Sequence, residues 1–148
     1  MNYKQTFHTS YKLAKKNIIT KLYNNGEYYE GEMLNNKKHG FGKNLYNKGT
    51  YFGFLYQGFW NNGSKNGIGI EIMDWGDIYI GDFKDNVKDG KGIFFSKNSI
   101  YTGSFNNNKK NGSGIEKFDD GSFYEGEFSD NNKTGQAIWV FAKESKQP

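Results

Sequence analysis

The chain has 148 residues, room for one domain of ordinary size, and no cysteine, so neither a disulfide framework nor a thiolate metal site can form. Its net charge of +4 comes from lysine alone, because none of the 20 basic residues is an arginine. Without the planar guanidinium fork, nucleic acid is not the expected partner. No apolar run approaches the roughly 18 residues of a membrane-spanning helix, and the N-terminus lacks the apolar stretch of a secretory signal, so a cytoplasmic chain is expected.

Residues 1–25 are a basic segment, with Lys4, Lys12, Lys15, Lys16 and Lys21 and no acid; 15 lysines against 16 acids leave the remainder at −1. Two readings stay open for it. Tyr3, Phe7, Tyr11, Ala14 and Ile18 recur at helical spacing with lysines between them, the pattern of a basic helix. Ile18 to Tyr23, running up to Gly26, instead has the form of a capping strand. Either would close an open sheet edge. Lys12, Lys15, Lys16 and Lys21 are the candidate contacts to an anionic lipid surface.

From residue 26 the chain repeats itself. Y-x-G triplets begin at Tyr29, Tyr56, Tyr79, Tyr101 and Tyr124, spaced 27, 23, 22 and 23 residues apart. Three residues before each tyrosine stand Gly26, Gly53, Gly76, Asn98 and Gly121, the starts of five repeats within residues 26–141. Four residues after it stand Met33, Trp60, Phe83, Phe105 and Phe128. Glycine follows eleven residues after every tyrosine and thirteen after four of them, Ala137 taking the last place. All of the twenty glycines except Gly49 and Gly63 fall in this frame.

Tyrosine, glycine and the second apolar residue alternate at the strand period and share one face. A polar Asn, Asp and Lys loop of about six residues then closes a hairpin, and the G-x-G run supplies the return strand. A hairpin of this size cannot bury its apolar face alone, so neighbours must pair edge to edge. The expected fold is all-β, a single-layer twisted antiparallel meander of about ten strands, with about four residues bulging out within 43–52 and a polar tail over 142–148. The glycine between the two rings is expected to leave a slot for a ring from the next hairpin. The row Tyr29, Met33, Tyr56, Trp60, Tyr79, Phe83, Tyr101, Phe105, Tyr124 and Phe128 serves the fold first. In a single layer it should stay partly wet, which makes it the candidate partner-binding stripe.

Stretches such as Gly26-Glu-Tyr-Tyr-Glu-Gly-Glu and Gly121-Ser-Phe-Tyr-Glu-Gly-Glu-Phe make the chain resemble the MORN (membrane occupation and recognition nexus) repeat family. The resemblance implies a scaffold or adaptor subunit that binds other proteins in a cytoskeletal, ciliary or membrane-apposed assembly, of the kind found in protists. Its alternative is a peripheral lipid-binding module.

Catalytic chemistry is hard to place. His8 and His39 are isolated, so no zinc site of ordinary spacing exists. The loops starting at Asp85 and Asp130 carry Ser96 and Phe141 where a calcium loop needs a bidentate glutamate. Glu30, Glu32, Glu125 and Glu127 alternate opposite the tyrosines and read as a solvated face. No cofactor, metal, small-molecule substrate or enzymatic activity is expected.

Overall fold

A computed structural model describes residues 18–46 and 55–142. Eleven strands follow one another: β1 (Ile18–Leu22), β2 (Tyr28–Leu34), β3 (Lys37–Leu45), β4 (Leu55–Asn61), β5 (Ser64–Ile72), β6 (Ile78–Lys84), β7 (Val87–Phe95), β8 (Ser99–Asn106), β9 (Lys109–Phe118), β10 (Phe123–Ser129) and β11 (Asn132–Val140). Each pairs antiparallel with the next in a single open sheet, and no helix occurs among the described residues. The all-β meander is therefore the fold of this chain.

At the end of the basic N-terminal segment Ile18–Leu22 forms a strand, which pairs with β2 from Ile18↔Glu32 to Leu22↔Tyr28, while Tyr3, Phe7, Tyr11 and Ala14 of the helical pattern lie outside the described residues. Without it β2 would offer a bare row of amides. The candidate lipid contacts Lys12, Lys15 and Lys16 lie outside the described residues, as does most of the long connection between β3 and β4.

The hairpin loops are shorter than expected. Each is a two-residue turn with both central residues at positive φ, such as Asn35 (49°) and Asn36 (59°) or Asp85 (48°) and Asn86 (74°). These are primed turns, whose twist matches that of the flanking strands and which Asn and Asp tolerate best. The rest of the presumed loop is strand. Gly63 (93°) holds the second turn position of its own hairpin, so it too belongs to the repeat. Asparagine at this position also joins neighbouring hairpins: the Lys65 amide donates to Asn86 Oδ1 at 2.8 Å while the Asn86 amide donates to the Lys65 carbonyl at 3.0 Å. The same exchange links Asn108 to Lys88 and Asn131 to Lys110.

Past the turn the register slips in every hairpin, so that Gly31 faces Gly42 but Met33 faces Lys38. Across the slip the return strand advances two residues more than its partner, an even offset that keeps the apolar set on one face. Each repeat tyrosine caps it, donating its hydroxyl to the carbonyl three residues on, as in Tyr29 to Glu32 (2.7 Å) and Tyr79 to Asp82 (2.9 Å).

The core lies on this face. A row of glycines runs across the strands from Gly31↔Gly42 to Gly126↔Ala137. The ring over each glycine pair comes from the same repeat, which corrects the expectation of a ring from the next hairpin. A Cβ on Gly81 would sit 2.5 Å from the Tyr79 hydroxyl and from the Lys91 carbonyl, and one on Gly92 would sit 2.5 Å from Tyr79 Cε2. The tyrosine lies down along its strand because its hydroxyl is held at the slip, and only glycine leaves room beneath it.

Candidate functional site

The expected partner-binding stripe is core rather than surface. Tyr29, Tyr56, Tyr79 and Tyr101 are fully buried, and Trp60, Phe83, Phe105, Tyr124 and Phe128 are at most 6% exposed. Met33 is partly buried against them. The row is dry because Tyr56, Tyr79 and Tyr101 each meet the second ring of their own repeat and that of the next, edge to face, while Tyr29, beside Met33, meets Trp60. Tyr56 stands 5.0 Å from Trp60 and 5.1 Å from Phe83, and Tyr79 stands 5.1 Å from Phe83 and 4.9 Å from Phe105. Such pairs contribute roughly 0.5–1.5 kcal/mol beyond area burial. Beside Tyr124 the place of the next repeat's ring is taken by Trp139, 5.3 Å away, which stacks between Phe118 and Phe141.

A lysine closes the top of each repeat. Lys38, Lys65, Lys88, Lys110 and Lys133 each stand nine residues after the repeat tyrosine, opposite Met33, Trp60, Phe83, Phe105 and Phe128. Their ammonium groups lie over the rings, Lys65 at 4.9 Å from the Tyr56 centroid and Lys110 at 4.9 Å from that of Tyr101. This arrangement adds cation–π attraction to packing by the lysine stems.

The carboxylates that balance them are fewer. Glu27 pairs with Lys38. Glu71 bridges Lys65 and Lys88, the latter at 3.1 Å, and Glu116 bridges Lys110 at 2.5 Å and Lys133 at 2.9 Å. Three carboxylates thus face five ammonium groups. Asn44 occupies the equivalent place between Tyr29 and Tyr56 and accepts from Lys38 Nζ at 2.6 Å. Burial pulls the pKa of Lys38 and Lys65 down, against the pull of their glutamates. Burial would raise Glu116, but the hydrogen bonds and charges of Lys110 and Lys133 outweigh it and hold the carboxyl below its usual value. A groove of about 680 Å³ opens over the first bridge, between Lys38, Lys65, Glu71 and Lys88, with Trp60, Met73 and Trp75 as walls.

The reverse face has no such cover. Its acids do stand there, but the strands between them carry apolar rows. Ile70, Ile80, Ile93, Thr102 and Ile115 face one another in register across β5 to β9. Phe59, Ile68 and Ile100 are 50%, 63% and 43% exposed. A groove of about 700 Å³ crosses β6 to β10 between Ile80, Ile93 and Ile115 on one side and Lys91, Ser113 and Glu127 on the other, floored by glycine backbone. The reading of this face as solvated therefore holds only near its acids.

Lys21, the one described candidate lipid contact, lies on the tyrosine face opposite Tyr29 and donates to Asn36 at 3.1 Å. The lysine ladder went unread in the sequence although its nine-residue offset is as regular as that of the glycines. Among the described residues no cluster of His, Asp and Glu side chains is disposed to hold a metal ion.

The repeat has a known counterpart. The family model described as MORN repeat matches five times, at residues 29–51, 56–78, 79–99, 101–123 and 124–146, more than half of the chain. No curated protein matches it.

Proposed function

Because the chain belongs to the MORN-repeat family, whose repeats occur in proteins that interact with other proteins or with membranes, we propose that it is a non-catalytic scaffold or adaptor subunit that holds a protein partner. The observation that carries this reading is the asymmetry of the sheet. One face is closed by its own rings and lysines, while the other leaves Phe59, Ile68, Ile70 and Ile100 exposed, with no second layer over them among the described residues. Contiguous exposed apolar surface of this kind usually meets a partner. Glu30, Glu32, Asp82, Glu125 and Glu127 stand on the same face, so the complementary surface is apolar with a basic rim. The partner binds through the reverse face, not through the tyrosine stripe. A cytoskeletal, ciliary or membrane-apposed assembly is the setting we propose for it.

The test is affinity capture from a native extract with the wild-type chain and with an Ile70→Ser/Ile80→Ser variant of unchanged melting temperature. The expected result is a defined partner set retained by the wild type and lost by the variant. Identical recovery by both chains would remove the reverse face from the interface. Flotation of the chain with anionic liposomes in about 0.5 M salt, where surface charges are screened within roughly 4–5 Å, would favour a lipid surface instead.

A further inference from the structure

We propose that the tyrosine face carries a second binding site, which takes an extended acidic segment of a partner protein by placing two of its carboxylates, about six residues apart, at two lysine nodes. The site is separate from the reverse face and differs from it in chemistry.

The charge count on this face is uneven in a specific way. Lys65 and Lys88 share Glu71, and Lys110 and Lys133 share Glu116. Each node is two ammonium groups on one carboxylate, a surplus of one positive charge. Lys65, Lys88, Glu71 and Glu116 are no more than 9% exposed. Water therefore screens these charges less than it screens lysines on an open surface. Among the described residues neither surplus is paired with a second acid, and the further carboxylate on the ladder, Glu27, is paired with Lys38. The rings beneath offset part of the charge but supply no hydrogen-bond acceptor. Each ammonium carries three donors.

The two nodes lie on one line. The register Glu71↔Tyr79↔Phe94↔Tyr101↔Glu116 sets both glutamates in the same cross-strand row, four strands apart. Strand spacing puts them roughly 19 Å apart, the length of about six residues of extended chain. Phe94 stands midway where the alternating pattern has no glutamate, so the stretch between the nodes is apolar. The groove over the first node, walled by Trp60, Met73 and Trp75, is open to such a segment. Carboxylate on ammonium is a charge-assisted hydrogen bond, about twice as strong as a neutral one.

The test uses the full chain and fluorescently labelled synthetic peptides on a neutral background, with two glutamates either six residues apart or adjacent. Anisotropy should show saturable, salt-sensitive binding of the six-residue spacing and weaker binding of the adjacent pair. Lys88→Gln and Lys133→Gln each remove one surplus charge while leaving Glu71 or Glu116 with a lysine partner. Each should weaken binding about fivefold, the worth of one partly exposed ion pair. Lys43→Gln, on the reverse face, should leave it unchanged. Glu71→Gln removes the one negative charge of its node, leaving both ammonium groups without a carboxylate, and should tighten binding by a similar factor, an effect opposite to what a purely structural role gives. Should Glu71→Gln fail to fold, the Lys88→Gln and Lys133→Gln results decide. The proposal is overturned if no peptide binds, if both spacings bind equally, if Lys88→Gln shifts only the melting temperature, or if phosphatidylserine vesicles compete the peptide away. The Ile70→Ser/Ile80→Ser variant should still bind the peptide, which separates this site from the proposed partner face.

Discussion

The two faces of this sheet are built from the same strands and are both rich in apolar residues, yet one is dry and the other is not. On the tyrosine face the paired repeat strands meet at a glycine in their middle, as in Gly58↔Gly69 and Gly81↔Gly92, so rings can lie flat and reach across repeats. On the reverse face the same stretch presents Ile70, Ile80, Ile93 and Ile115, branched side chains that stand up from the sheet and are covered by no second layer of the described residues. Burial in a single layer thus depends on the shape of the row beside the apolar residue as much as on its hydrophobicity.

The sharpest way to break this contrast is to fill the floor under a ring. Gly81→Val or Gly103→Val forces a side chain into space held by Tyr79 or Tyr101 and by opposing backbone. It should cost about 3 kcal/mol or more, a large share of the roughly 5–15 kcal/mol that holds a domain of ordinary stability, and should lower the melting temperature accordingly. Gly63→Val, with nothing within 4 Å of the new Cβ, meets only the strain of its positive φ, about 1–2 kcal/mol. Equal melting shifts for the two would remove the floor from the explanation.

Next in size is the contrast between the faces themselves. Tyr79→Ala removes a fully buried ring and the hydroxyl that caps the Asp82 carbonyl, and should cost about 3–5 kcal/mol in urea denaturation. Ile70→Ala, at a side chain 39% exposed on the reverse face, should cost less than about 1.5 kcal/mol.

Alkaline titration sharpens the comparison without mutation. Burial raises the Tyr29 and Tyr101 phenols from 10.0 to about 12, and raises Tyr56 and Tyr79 as well. The protonated phenol is the form the fold prefers. The stability it contributes is fully present below about pH 10 and is lost as pH rises towards and through 12. Tyrosinate absorbance should therefore appear for these rings together with loss of β-sheet circular dichroism. Smooth ionisation of all 11 tyrosines near pH 10 with the sheet intact would contradict their burial.

The smallest expected effect is at the turns. Asn108→Ala removes the side-chain bond to the Lys88 amide and should cost about 1 kcal/mol. Gly63 already lacks that side chain, so Gly63→Asn should be neutral or slightly stabilising by joining its turn to the Lys38 amide.

Much of this was legible in the period of the sequence. Strand identity, hairpin order, antiparallel pairing and the face of the tyrosines follow from residues two apart recurring at a fixed repeat, because local alternation and edge pairing leave a meander little freedom. The chain also announced its structural punctuation, Gly31 and Gly42 among it, without saying which ring would cover them. That depended on the register slip, which frees a carbonyl for the tyrosine hydroxyl and turns the ring along its own strand. The lysines at the ninth position and the glutamates at the fifteenth carried no reading in the sequence, because only pairing sets Lys88 and Glu71, 17 residues apart in sequence, on one bridge. Which apolar face stays bare was likewise a tertiary outcome. Sequence periodicity assigns a residue to a side of the sheet, but only the register between strands decides what stands beside it and whether the two can cover each other.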